Sequence, residues 1–300
     1  MKPEKWTPDN IPDQTGRVVI ITGANSGIGF EAAKVLASKG ADVVMAVRNQ
    51  EKGNQAKAEI MKAHAQSRVT VSLLDLSSLK SVKLFSDNFL KSQTRLDMLI
   101  NNAGIMIPPY GKTEDGFESQ MGTNHLGHFA LTAQLFPLLK STGGSRIVNV
   151  SSTAHNMGNI SFDDIHWESR KYVPWKAYGD SKIANLYFTN ELGRRMQAAG
   201  LDVTTTAAHP GYAATGLQKG LFLKFLNVVV AQSGFMGAMP TLMAAIDPKA
   251  STGNFYGPSG IAQQRGWPKQ VTPNKLSQDA EIAKKLWATS EELTGIKFSI

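Results

Sequence analysis

The stretch Arg17-Val18-Val19-Ile20-Ile21-Thr22-Gly23-Ala24-Asn25-Ser26-Gly27-Ile28-Gly29 decides the fold. Its first half is a short β-branched run, which reads as a buried strand. Its second half sets glycines between that strand and a helix read over 28–39, where Ala32, Ala33, Leu36 and Ala37 recur at helical spacing and Gly40 ends the element. Glycines at such a turn let the backbone approach a pyrophosphate, and the helix N-terminus offers free N–H groups and a positive dipole. Gly23, Asn25, Ser26, Gly27, Ile28 and Gly29 are therefore candidate dinucleotide contacts. The spacing is G-x-x-x-G-x-G, which differs from the G-x-G-x-x-G fingerprint but uses the same physics. A plain tight turn is the alternative reading of this stretch taken alone.

Working outward, apolar runs and helical segments alternate along the chain. Strands are read at 41–48, 69–76, 96–104 (with its turn), 145–152 and 203–211, with helices at 49–65, up to about 93, at 123–139 and at 177–199. Six strands alternating with helices through short connections predict an α/β fold, a doubly wound parallel sheet covered on both faces. No repeat, low-complexity tract or Pro/Gly/Ser-rich linker divides the chain, so one domain over 1–300 is expected, with additions at about 153–177 and 212–240.

The composition narrows the partners. The formal charge is +8, but the basic residues are scattered among acidic ones and form no stripe with interleaved aromatics, so no nucleic acid is expected. There is no cysteine, which excludes a disulfide framework, a thiolate metal site and a cysteine nucleophile. The histidines show no ligand spacing with one another, so no metal is expected. The N-terminal residues lack a signal-peptide pattern. The most apolar stretch, Leu221 to Ile246, is broken by Lys224, Asn227, Gln232, Ser233 and Pro240, so stable membrane insertion is not expected. A soluble, cytoplasmic protein follows from these readings.

Thr22 to Gly29, together with Asn101-Asn102-Ala103-Gly104 and Tyr178-Gly179-Asp180-Ser181-Lys182, resembles the short-chain dehydrogenase/reductase family, over residues 16–260. VVMAVRN, AYGDSK and HPGYAATGL resemble its retinol-dehydrogenase-like branch and soluble bacterial relatives. The resemblance implies a Rossmann-type fold and hydride transfer between a nicotinamide cofactor and an alcohol or carbonyl compound. It implies a tetrad of Asn124, Ser152, Tyr178 and Lys182, with Asn124 holding a water that relays protons to the lysine. It also implies Asp75 and Leu76 at the adenine, Asn102, Ala103 and Gly104 under the adenosine ribose, and Pro210, Gly211 and Thr215 at the nicotinamide end. Ser151 stays open as the alternative to Ser152, since strand alternation sends the two to opposite faces. Asp75 stays open as a cap for the next helix. His209 reads as structural, because Tyr178 already fills the proton-donor role.

Cofactor choice rests on the end of strand two. An acidic residue there would bind a ribose 2′-hydroxyl, whereas an arginine accommodates a 2′-phosphate. Arg48 stands there, 19 residues after Gly29, and the first acid after the strand is Glu51. NADP(H) is the expected cofactor. The chemistry rests on Tyr178 and Lys182, which share a helix face at i, i+4. A lysine cation, together with the charge of an oxidised nicotinamide, should lower the phenol pKa from its ordinary value of about 10. Tyr178 would then act as general acid in reduction and general base in oxidation.

Between Ser152 and Tyr178 lie 25 residues that include Phe162, Trp167, Tyr172 and Trp175. With Leu221, Phe222, Phe225, Phe235 and Met236 they suggest an apolar wall and a lipophilic or aromatic small-molecule substrate. The family resemblance allows a homodimer or homotetramer built on the helices at 123–139 and 177–199. Two other readings compete: a nucleotide-sensing regulator or scaffold without turnover, and light-driven tetrapyrrole reduction, which Tyr-x-Asp-Ser-Lys also resembles. The complete tetrad argues against the first and the absence of cysteine against the second.

Overall fold

Strand β1 (Val18–Thr22) is wholly buried and alternates its side chains between two apolar layers: Val19 and Ile21 join one, Val18 and Ile20 the other. The computed structural model of the chain describes residues 5–212 and 232–300. From β1 the chain runs through α1 (Gly27–Ser38), β2 (Asp42–Val47), α2 (Gln50–Ala63), β3 (Arg68–Leu73), α3 (Leu79–Ser92) and β4 (Met98–Asn101). A short helical turn, Ser119–Met121, and one π-helical turn, Gly122–Leu126, lead into α4 (Gly127–Thr142). Strand β5 (Ser145–Val150), α5 (Pro174–Ala198), β6 (Val203–Ala208), α6 (Gly234–Ile246), β7 (Phe255–Pro258), β8 (Pro268–Val271) and α7 (Ala280–Thr294) follow, with short 3-10 turns in the connections.

The sheet order is β3-β2-β1-β4-β5-β6-β7-β8, parallel throughout except for the antiparallel β7–β8 pair. The chain starts in mid-sheet, winds out to β3 and returns to β4, so strand order reverses between β1 and β4. A cleft opens beyond the carboxyl ends at such a reversal. Register brings those ends level: Thr22 lies opposite Ala46, Asn101 opposite Asn149, and Val150 opposite Ala208.

The expected Rossmann-type doubly wound sheet is present, with three differences of detail. Strands β7 and β8 escape a periodicity reading because each has only four residues and each carries a proline. Strand β3 ends at Leu73, short of the expected 76. Asp75 turns the chain there, accepting the N–H and hydroxyl of Ser77 at 2.9 and 2.6 Å, and Ser78 caps α3. The helix expected at 123–139 begins earlier and passes through the π turn, which has no periodicity signature of its own.

Helix α7 and the residues after it lie across α4 and α5. Phe298 packs on Phe129 and Phe136 of α4, Phe188 of α5 and Trp287 of α7, with ring centroids 4.7–6.2 Å apart. Among the described residues, no helix is long and apolar enough to cross a membrane.

Candidate active site

The turn after β1 is built for close backbone approach. Gly23 adopts φ +67°, in the left-handed region, and a Cβ there would stand 3.0 Å from the Ala103 methyl. Ser26 occupies the N-cap of α1 yet makes no capping bond, so its hydroxyl and the first N–H groups of the helix stay available. Thr22 ties this turn to the next one: its Oγ1 accepts the N–H groups of Asn102 and Ala103, both at 2.9 Å. The Asn102 amide donates back to the Thr22 carbonyl at 2.8 Å.

His128 carries the same framework inward. Burial pushes its pKa down to about 4, so the imidazole is neutral. Nδ1 faces the Asn124 carbonyl at 3.0 Å and must carry the proton, leaving Nε2 to accept the Thr22 hydroxyl at 2.9 Å. The Asn124 side chain accepts the Ile105 N–H at 2.8 Å and donates to the Ile105 carbonyl at 3.0 Å and to Ser181 Oγ at 2.9 Å. Asn124 thus clamps the irregular segment that follows Gly104. A Cβ on Gly104 would come within 3.0 Å of Asn124 Oδ1 and 3.4 Å of Lys182 Nζ, so a side chain there would crowd both groups.

The two serines after β5 separate by strand alternation. Ser151 is buried and donates to the backbone carbonyl of Lys182 at 2.7 Å. Ser152 accepts the Ala154 N–H at 3.2 Å and presents its hydroxyl to Tyr178. Lys182 Nζ donates to the Val150 carbonyl at 3.2 Å and stands 5.6 Å from the centre of the Tyr178 ring.

Burial dominates the electrostatics of this pair. It pushes the Tyr178 phenol up to about 12, with the Ser152 hydroxyl pulling the other way, and pushes the Lys182 ammonium down to about 8. In the chain alone the phenol therefore lies above its ordinary value; the lowering expected from sequence also counts the charge of an oxidised nicotinamide. In the protein's own field, desolvation of a tyrosinate outweighs what nearby groups return.

All this faces one cleft of about 1090 Å³. Of the residues expected from sequence, Gly23, Asn25, Ser26, Gly27, Ile28, Arg48, Asp75, Leu76, Asn102, Ala103, Gly104, Ser152, Tyr178, Lys182, Pro210 and Gly211 line it. Gly29 and Asn124 stand behind the wall. Thr215 lies outside the described residues, as do Leu221, Phe222 and Phe225.

The apolar wall expected from sequence is narrower in the structure. Trp167 is buried beneath Arg170, and Phe235 and Met236 pack against the core beside α1. Of the four aromatics named between Ser152 and Tyr178, only Trp175 lines the cleft. His209 is buried and held by the Gln263 amide at 2.8 Å, a structural placement.

Sequence reasoning missed Lys52, Gln55 and Glu59, which line the cleft beside Arg48. Their i, i+3, i+7 spacing along α2, directly after Arg48, was the signal that could have found them. Among the described residues, no three His, Asp or Glu side chains converge as a metal site requires.

Residues 17–224 match the short chain dehydrogenase family. The chain belongs to it. This short-chain dehydrogenase is 40% identical to retinol dehydrogenase 13 of Homo sapiens over 294 residues, covering 94% of its own length and 86% of that protein's. Its fold matches the crystal structure of a protein from Mycobacterium paratuberculosis with a TM-score of 0.85 and 43% identity, over 99% of this chain and 100% of that one. It also resembles a short chain dehydrogenase of Escherichia coli CFT073 complexed with NADPH, with a TM-score of 0.56 and 25% identity, over 71% of this chain and 82% of that one. The short-chain dehydrogenase is thus an oxidoreductase whose relatives include the retinol-dehydrogenase branch.

Proposed function

We propose that the chain is an NADP(H)-dependent oxidoreductase acting on a lipophilic or aromatic carbonyl or alcohol compound. One observation carries the reading: a single cleft holds a Ser152–Tyr178–Lys182 cluster and also an Arg48–Lys52 rim beyond β2. NADPH would supply the hydride. Its fit rests on the uncapped N-terminus of α1, the left-handed turn at Gly23, the close-packed Gly104, and the two cations on the rim. The pyrophosphate would take the α1 N–H groups, while Arg48 and Lys52 would hold the 2′-phosphate. The NADPH complex of the E. coli CFT073 neighbour and the retinol dehydrogenase relatives support this assignment.

In this cleft the chain's own groups favour reduction at neutral pH. Tyr178 is protonated there, and its O–H can pass a proton to the substrate oxygen as alkoxide character develops. Ser152 orients that oxygen. Lys182 is still cationic below about pH 8 and stabilises the tyrosinate left behind. Ile105, Met106 and Trp175 supply an apolar surround. Asn124 contributes by fixing Ile105 and, through its carbonyl, His128.

The test is reduced-nicotinamide absorbance over a panel of aldehydes and ketones, with NADPH and NADH compared. Faster turnover with NADPH and with ring-bearing or long-chain carbonyls is expected. Preference for small polar sugars or hydroxy acids would overturn the substrate class, and preference for NADH would overturn the cofactor.

A further inference from the structure

Gln120 is fully buried on the short turn Ser119–Met121, outside the cleft, yet it joins three segments of the chain. Its Oε1 accepts the Ile107 N–H at 2.9 Å. Its Nε2 donates to the Pro174 carbonyl and to the Tyr172 hydroxyl, both at 2.9 Å. The two backbone partners fix which way the amide points, because an N–H can only donate and a carbonyl can only accept.

The tie is itself held from below. The Tyr172 hydroxyl donates to Glu118 Oε1 at 2.9 Å, and the Glu118 carboxylate accepts the N–H groups of Gln120 and Met121 at 2.9 and 2.7 Å. Ile107 is a β-branched residue at φ +48°, in the left-handed region that such side chains rarely adopt. Its bond to Gln120 helps hold that turn.

The joined segments lead directly into the cleft. Ile105 and Met106, immediately before Ile107, form one stretch of its wall, while Trp175 and Tyr178, immediately after Pro174, form another. We propose that Gln120 is a positioning residue that sets the gap between these two stretches, and through it the width of carbonyl compound the site accepts. The effect on turnover rests on the oxidoreductase reading above; the tie itself does not.

A pair of measurements on the full chain separates the two. The first is hydrogen exchange of the 105–107 and 174–178 backbone in wild type and Gln120→Ala, which needs no turnover. Exchange should rise in both stretches. The second is the ratio of kcat/KM for a fused-ring aldehyde to that for a linear aldehyde, with NADPH. The ratio should move by about tenfold, since small changes in pocket shape are worth that much, while the Kd for NADPH moves by less than about twofold.

Tyr172→Phe, which removes the hydroxyl support but leaves the Ile107 and Pro174 bonds intact, should shift the ratio in the same direction as Gln120→Ala but by less. If Gln120→Ala does not fold, Gln120→Glu serves instead. Its carboxylate can accept from Ile107 but cannot donate to Pro174, so the altered ratio should return toward wild type as falling pH protonates it. Unchanged exchange in either stretch, an unchanged ratio, or a ratio in Gln120→Glu that ignores pH would overturn the proposal. A wild type that turns over no carbonyl would defeat the oxidoreductase reading, and exchange alone would then decide the tie.

Discussion

Lys182 lies with its ammonium 5.6 Å from the Tyr178 ring centre and donates to the Val150 carbonyl at 3.2 Å. Both side chains are buried, and burial drives their pKa values in opposite senses, the phenol up to about 12 and the ammonium down to about 8. The pair is therefore set as neutral acid beside cation at neutral pH.

A pH dependence follows directly. Lys182 is charged below about pH 8 and loses that charge as pH rises through it. Since the cation stabilises the tyrosinate formed in reduction, kcat for carbonyl reduction should be level near pH 7 and fall above about pH 8. Steady-state rates across this range check the point; a profile still level two units higher would count against it.

Lys182→Met should trade activity for stability. It removes a buried cation held by one carbonyl, so the folded state should gain about 1–3 kcal/mol at neutral pH while reduction is lost. The folded-state pKa of about 8 lies below the ordinary 10.5, so the folded chain binds fewer protons than the unfolded one between those values. The melting-temperature gap between variant and wild type should therefore narrow as pH rises through that window. A gap independent of pH would show that Lys182 bears no desolvation cost.

The two serines should respond differently. Ser152→Ala is expected to lower kcat by about a hundredfold by removing a donor to the reacting oxygen. Ser151→Ala loses its bond to the Lys182 carbonyl and should cost about 1 kcal/mol of stability, with chemistry little changed. Chemical denaturation and kinetics on the same preparations test both. Equal loss of kcat in the two variants would overturn this division.

At the far end of the cleft, Arg48→Asp should weaken NADPH binding by about 10- to 100-fold, the value of one charge-assisted bond to phosphate. Lys52→Ala should weaken it in the same direction, and NADH binding should be spared in both. Fluorescence titration of each cofactor checks this. Parallel losses for NADPH and NADH would place both cations away from a 2′-phosphate.

Much of this architecture is legible in the sequence because it is local. The β1–α1 turn needs glycine at fixed places, buried parallel strands need β-branched runs, and the Tyr178–Lys182 spacing sets a shared helix face. What escapes depends on long-range geometry. The π turn around Asn124 leaves no periodicity to read. Strands β7 and β8 carry prolines that argue against strand. Gln120 acquires its task from Ile107, Tyr172 and Pro174, which only the fold brings to it. Lys52 could have been found from its helical spacing after Arg48. The Tyr178 pKa could not, because the sign depends on how completely the phenol is buried.

The central claim is that Tyr178 gives the proton in an NADPH-dependent reduction. The most direct measurement compares wild type with Tyr178→Phe for NADPH binding by fluorescence and for turnover of aromatic aldehydes by absorbance. The account predicts unchanged binding with turnover reduced by about 10²- to 10⁴-fold, the usual value of a positioned general acid. Retained turnover in Tyr178→Phe would contradict it.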